Sequence, residues 1–482
     1  MATLQDWRAQ VERDLKGADF DKRLVKRTHE GVSYQPLYTE APQGPRADRE
    51  GSWQLRVPVA DLEQAREAVE GGADALVVEG ELEGVESLEL PLLRRGLDVL
   101  AGQELPESSQ PLCLDSARFH EGGASDAQCL GVLLAGGLYA LRQAESRGWD
   151  LQATADALEL HIALDPSLFR GIAKVRAARM LWAAVLADCG LQANSLLVVR
   201  PSNRTWGVCD PWVNLLRNTA VVWAGALGGA DAIDSWPYDL LSGGSELGRR
   251  VARNTQHVLR LESGLDRVQD PAAGSYAIES LTKQLAEEAW AELQRLEAEG
   301  LAESLRSETF HQRIEAVAEQ RDLAVDSRRL PLLGISEFAN LGEPLSQMPI
   351  DARFGGPFEC MRAGSEALLE DTGRRPTVVL GTLGPLAEHN ARATWMTNLF
   401  AAGGIVVERV PAEQASGKLV CLVGSDGRYE AEAEAAARAL VDAGSEVWLA
   451  GRPRQGVGPV EAFAYLGADV RALLDSAWEV LT

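Results

Sequence analysis

Apolar positions along this chain keep two rhythms. Near the start, Leu4, Trp7, Val11 and Leu15 recur at helical spacing, which predicts one helix with a single apolar stripe, ended by Gly17. Phe20, Leu24 and Val25, followed by Pro36-Leu37-Tyr38-Thr39, then read as an extended arm before the Pro- and Gly-rich stretch from Ala41 to Gly51. Beyond Trp53, short apolar runs alternate with helical periods. Strands are expected over 55–59, 75–79, 111–115, 131–135, 159–163, 195–199, 232–236 and 332–336, although the fourth run also suits the start of a helix. Helical periods between them include 61–69, 138–147, 167–189 and 284–297. Strand and helix in alternation imply parallel strands joined by right-handed crossovers, and a count near eight predicts a closed (β/α)8 barrel of TIM type over 51–340. Residues 341–375, rich in Gly and Pro, read mostly as a linker. Strand patterns at 377–380, 405–407, 419–423 and 446–449, with helices at 390–402, 430–443 and 458–466, then predict an open doubly wound sheet of flavodoxin type over 376–482.

The densest punctuation lies between Trp206 and Glu279. Pro211 after Asp210 starts a helix that Gly228-Gly229 stops, a second helix follows from Arg249 to Leu261, and Asp270-Pro271-Ala272-Ala273-Gly274-Ser275-Tyr276 closes the segment. In this order the words Asp210-Pro211-Trp212-Val213-Asn214, Arg217-Asn218-Thr219, Leu227-Gly228-Gly229-Ala230-Asp231 and Arg253-Asn254-Thr255-Gln256 resemble the barrel of the adenosylcobalamin-dependent methylmalonyl-CoA mutases. The segments 173–182 and 333–338 resemble a helix and the closing strand of the same barrel. The resemblance implies a substrate barrel, a cobalamin-binding-type domain of flavodoxin architecture, and interconversion of methylmalonyl-CoA and succinyl-CoA. That family includes heterodimers of a catalytic large subunit and a related small one, in which an N-terminal arm wraps the partner.

The residues that should carry this chemistry are missing. Cobalamin binders of the family use Asp-x-His-x-x-Gly, in which the His ligates cobalt, the Asp orients the ring and the Gly lets the nucleotide tail pass. The matching turn here reads Ala387-Glu388-His389-Asn390-Ala391-Arg392, so His389 is the one cofactor-binding candidate, with Asp replaced by Ala387 and Gly by Arg392. Gly424-Ser425-Asp426-Gly427 follows a strand as a turn where mutases contact the corrin. Catalytic members carry a histidine twelve residues before the Asp-Pro, but Val198 stands there, and a valine cannot donate a hydrogen bond to a thioester carbonyl. The family's glutamine and carboxylate-binding arginine have no counterpart between Ser108 and Leu138, nor its tyrosine between Tyr38 and Glu79. No catalytic residue is expected, therefore, and the chain is similar to the small, non-catalytic subunits. Adenosylcobalamin is expected in a large-subunit partner and none on this chain. A barrel without substrate can fill its axis with Val, Leu and Ile layers, leaving no tunnel wide enough for pantetheine. The alternatives are a competent mutase that uses His389 for cobalt and a non-enzymatic scaffold. The chain is shorter than the family norm, chiefly before Pro111 and in the linker.

Charge and composition narrow the remaining classes. With 71 acidic against 47 basic residues the net charge is −24, a field that repels nucleic acid and anionic lipid. No apolar run approaches the roughly 18 residues of a membrane span, and the charged start lacks a signal-peptide core, so retention in the cytosol is expected. The cysteines, 113, 129, 189, 209, 360 and 421, stand singly and are expected as buried reduced thiols, and the six histidines show no metal-ligand spacing. His161 is expected to line or pack the barrel. Glu159 and Asp165 could pair, though Asp165-Pro166 is first a helix start. Arg249, Arg250 and Arg253 suit a solvated helix face better than a phosphate site, and Trp7, Trp206, Trp212 and Trp223 are candidate interface anchors.

Overall fold

The computed structural model describes residues 3–28, 31–40, 51–78, 92–94, 97–98, 112–192, 194–343, 345 and 353–482. The stretch 41–50, His29, Glu79 and Pro111 lie outside them. The chain divides into two compact units, one of residues 1–202, 216–237 and 245–318, the other of 203–215, 238–244 and 319–482.

The first unit opens with the helix Leu4–Asp14, capped reciprocally by Thr3 and Asp6. A short antiparallel pair follows, β1 (Lys26–Arg27) and β2 (Ser33–Tyr34). The main sheet is wholly parallel and contains β3 (Gln54–Val59), β4 (Ala75–Val78), β5 (Leu92–Arg94), β6 (Leu97–Asp98), β7 (Leu112–Asp115), β8 (Leu158–Leu164), β9 (Leu196–Pro201) and β10 (Ala232–Asp234). Its order, β5-β4-β3-β10-β9-β8-β7-β6, runs round in chain order with β10 paired to β3, so the sheet curls on itself as a barrel does. Six of the eight expected strands are present. The run 131–135 lies instead inside the helix Asp126–Ser146, which is buried on nearly every side and so loses the polar stripe that marks a surface helix. The run 332–336 is a turn: Gly334 has φ +80° and the Ser336 hydroxyl accepts from the Leu332 amide at 2.9 Å, which leaves only a Leu333–Glu337 bridge. β5 and β6 were not expected; they bring the sheet to eight strands by standing between β4 and β7 in the chain.

The second unit holds β11 (Thr377–Thr382), β12 (Val406–Pro411), β13 (Leu419–Val423), β14 (Glu446–Ala450) and β15 (Ala462–Ala464), all parallel, in the order β12-β11-β13-β14-β15. This is the flavodoxin-type order, as expected. The expected helix over 458–466 is β15, because Gly456 and Gly458 at φ +76° and +78° break any helical run and 462–464 then pair with 448–450. Within the stretch read as linker lies a helix, Gly356–Thr372, with Pro357 in its first turn and Gly373 ending it.

Candidate functional site

Part of the inner face of the barrel sheet is polar. On β8, Leu158, Leu160, Ile162 and Leu164 turn outward into the core shared with the helices, and the two-residue period leaves Glu159 and His161 facing the lumen. On β3, Leu55, Val57 and Val59 pack outward, leaving Arg56 inside. Two further strands separate β3 from β8 in the sheet, so the Arg56–Glu159 pair, at 3.1 and 3.2 Å, crosses the lumen. Gln54 accepts from the same guanidinium, and His161 Nε2 lies 2.9 Å from Glu159 Oε2. Arg56 is 1% exposed, a burial that its pairing makes tolerable. Burial opposes the charge on Glu159, but the hydrogen bond from His161 and the neighbouring Arg56 prevail and hold its carboxyl at about 2. Next to this layer, Arg200 on β9 stands 3.5 Å from Asp115 on β7 and over the Trp236 ring. The expected Val, Leu and Ile layers are therefore replaced, over these positions, by ion pairs, since the alternation commits the aliphatic residues to the outside. Val198 faces inward between His161 and Ala232 in register and is buried.

Glu159 and Asp165 do not pair. Asp165, beyond the end of β8, belongs to a second buried cluster with His120, Asp126, Arg170 and Lys174. Lys174 Nζ donates to Asp126 at 2.7 Å, to the Ala163 carbonyl at 2.9 Å and to His120 Nδ1 at 3.2 Å. An ammonium only donates, so Nδ1 accepts and the ring proton sits on Nε2, 3.1 Å from Asp165. Burial opposes the Asp126 charge, yet Lys174 and Arg170 hold its carboxyl well below the usual range. Arg249 and Arg253 are neither solvated nor open to phosphate: both grip Glu67, at 2.9 and 3.3 Å, and a Cβ on Gly71 would collide with the Arg253 guanidinium. Arg250 is exposed. No disulfide joins the six cysteines, but Cys189 is exposed and Cys360 half-buried, against expectation: Cys189 ends the helix Leu168–Asp188, where the chain turns to solvent. Trp206 is core, whereas Trp212 and Trp223 are exposed. No group of metal-ligating side chains converges among the described residues.

In the second unit the crevice at the carboxyl ends of β11 and β13, where the strand order reverses, is the place a doubly wound sheet offers a ligand. His389 stands there in the first turn of the helix Leu386–Ala402, with Nδ1 3.1 Å from the Gly384 carbonyl. Arg392, three residues on, reaches the Gly424 carbonyl and Asp426, the latter at 2.8 Å, and lies over the Tyr429 ring. Arg454, beyond β14, joins the same Asp426 at 2.6 Å and the same ring. Glu388 pairs with Arg428 at 2.8 Å and accepts from Ser425 at 3.1 Å. A Cβ on Gly384 would sit 2.5 Å from Arg428 Nε, so no space separates the turn from this network. Sequence reasoning located His389, Arg392 and Asp426. It missed Arg454, Tyr429 and Arg56, which no motif flags; only the alternation around Glu159 hinted at a polar lumen.

Residues 100–355 match the family model described as methylmalonyl-CoA mutase. The chain is 39% identical over 410 residues to the methylmalonyl-CoA mutase small subunit of Streptomyces virginiae, covering 78% of this chain and 65% of that protein. It is 36% identical over 372 residues to the probable methylmalonyl-CoA mutase small subunit of Mycobacterium tuberculosis, covering 72% and 60%. To the methylmalonyl-CoA mutase small subunit of Porphyromonas gingivalis it is 31% identical over 372 residues, covering 70% and 59%. The match thus spans less than two thirds of each relative's own length.

Proposed function

Because the chain belongs to the methylmalonyl-CoA mutase family, we propose that it is the small subunit of an adenosylcobalamin-dependent methylmalonyl-CoA mutase, without catalytic residues of its own, which stabilises a large subunit that isomerises methylmalonyl-CoA and succinyl-CoA. The observation that carries this reading is the crevice beside His389, bridged by this chain's own ion pairs. The residues there do not fit cobalamin: Arg392 and Arg454 occupy the gap between the strand ends with Asp426 and Tyr429, where a nucleotide tail would pass. In the barrel, the Arg56–Glu159 pair stands across the path a pantetheine arm would follow, and Val198 offers no donor to a thioester.

The partner is read from the start of the chain. No residue of the helix Leu4–Asp14 is fully buried, and Trp7, half-buried, meets the edge of Phe20 at 6.2 Å, so part of the apolar stripe is left for another chain. In this reading residues 1–50 are the arm, 51–340 the barrel, 341–375 a connection and 376–482 a degenerate cobalamin-type domain. No helix among the described residues is long and apolar enough to cross a membrane, and we assign the complex to the cytoplasm. One observation favours a second reading, a competent mutase: the Gly384 carbonyl orients His389 through Nδ1 and leaves Nε2 available to a metal. A cobalamin spectrum of the isolated chain that changes with His389→Ala would support it.

Co-expression with a mutase large subunit tests the main reading. A one-to-one complex holding one cobalamin, whose large subunit loses activity or solubility when this chain is omitted, is expected. Two cobalamins per complex, or a large subunit indifferent to this chain, would reject it.

A further inference from the structure

The helix Trp212–Gly228 carries one ionisable residue, Arg217, and that residue is buried. Its outward positions in the first unit include Leu216, Ala220, Trp223 and Leu227, spaced by four, three and four residues, which form an apolar solvent-facing stripe with Thr219 on its flank. Leu216 is 62% exposed and Trp223 41%. The neighbouring helix Leu168–Asp188 extends the stripe sideways. A Cβ on Gly171 would lie 2.8 Å from Ala224, and one on Gly228 would lie 2.6 Å from Val175, so the two helices run parallel in close contact. That offset sets Phe169, 59% exposed, level with the turn that carries Trp223. Elsewhere the surface helices show the charges expected of an acidic chain, as Glu287 and Glu288 do on Tyr276–Glu299. Scaling side-chain areas by these exposures gives an apolar patch on the order of 300 Å², comparable with the largest on ordinary monomers and commonly functional.

We propose that this face, Leu216 and Trp223 with Phe169 beside them, is where the larger catalytic chain docks; the proposal rests on the small-subunit reading. The size suits the dry centre of a standard interface of about 800 Å² per partner, and a tryptophan flanked by phenylalanine and leucine is the composition that anchors such centres. A second copy of this chain is the weaker occupant, because each copy brings a net charge of −24 and the two fields would repel. A distinct companion carries no such obligation, and the relatives named small subunits imply one.

The test measures binding of the full chain to a purified mutase large subunit by calorimetry, for wild type, Leu216→Glu, Trp223→Glu, Trp223→Ser and the exposed control Val441→Glu. The first two should weaken binding at least 100-fold and the serine variant about tenfold, with unchanged circular dichroism; the control should match wild type. Face variants that bind within twofold of wild type would overturn the proposal, as would a control that loses as much as they do. A wild-type homodimer dissociated by Leu216→Glu would overturn it in favour of self-association. If wild type binds no large subunit, the small-subunit reading itself fails; if it binds and the variants bind equally, only the docking face is wrong.

Discussion

The Arg56 guanidinium is tolerated inside the barrel because Glu159 reaches it from the opposite wall, so each is the condition for burying the other. Glu159→Gln should cost about 3–5 kcal/mol in urea unfolding, since it strands a buried guanidinium, whereas the double variant Arg56→Met, Glu159→Leu should come close to wild type. The Glu159 carboxyl is held at about 2, below its unfolded value. Its contribution is therefore present above the usual glutamate range near 4.3 and disappears as pH falls towards 2. Asp326 has the opposite sign. Burial, then the carboxylates of Asp469, Asp322 and Asp475, outweigh Arg471 and push it up to about 6. A raised carboxyl stabilises most below its unfolded value, and that contribution is lost as pH rises through 6. Asp326→Asn should thus gain about 1 kcal/mol at pH 7.5, discounted because the site is half exposed, and nothing at pH 3, below the unfolded aspartate value of about 3.9; denaturant curves at the two pH values check it. At this scale the sequence exposed what is missing, such as Val198, better than what fills the gap. Arg56 and Arg454 act across the fold, between positions that no local spacing connects.

Elements were legible where one face is wet. Two of the three helices expected in the flavodoxin-type unit, and most barrel strands, followed from their periods because solvent enforces a polar side. Legibility failed where burial is complete or very short. The helix Asp126–Ser146 is apolar on all sides and mimics a strand, while 332–336 has strand composition but bends at Gly334. The glycines that permit close approach are the better guides. A methyl on Gly228 would stand 2.6 Å from the Val175 Cβ and 3.2 Å from the Ile172 carbonyl. Gly228→Ala should therefore lower stability by about 1–3 kcal/mol through overpacking, read as a fall in the thermal midpoint. Gly17 offers a contrast: nothing lies within 4 Å of its Cβ position, and its need is the φ of +87° that ends the first helix.

For the whole molecule, a framework of family type persists, and on the proposed reading the groups that would meet cofactor and substrate are replaced by contacts internal to the chain. The surplus apolar surface, on the first helix and on the Trp212–Gly228 face, then calls for a companion. Trp7→Asp should weaken the complex at least tenfold with at most a small fall in the thermal midpoint of the isolated chain, because Trp7 is only half-buried and no residue of its helix is fully buried. The two-sheet architecture was readable from alternation alone; the exposed apolar face offered to the proposed partner became readable only once exposure was known, since an apolar stripe in sequence does not say whether it faces inward. The most direct measurement is the turnover of methylmalonyl-CoA by the purified chain, supplied with saturating adenosylcobalamin, alone and after equimolar addition of a mutase large subunit. The account predicts no succinyl-CoA and an unperturbed cobalamin spectrum from the chain alone, with activity only in the mixture. Succinyl-CoA formed by the isolated chain would contradict it.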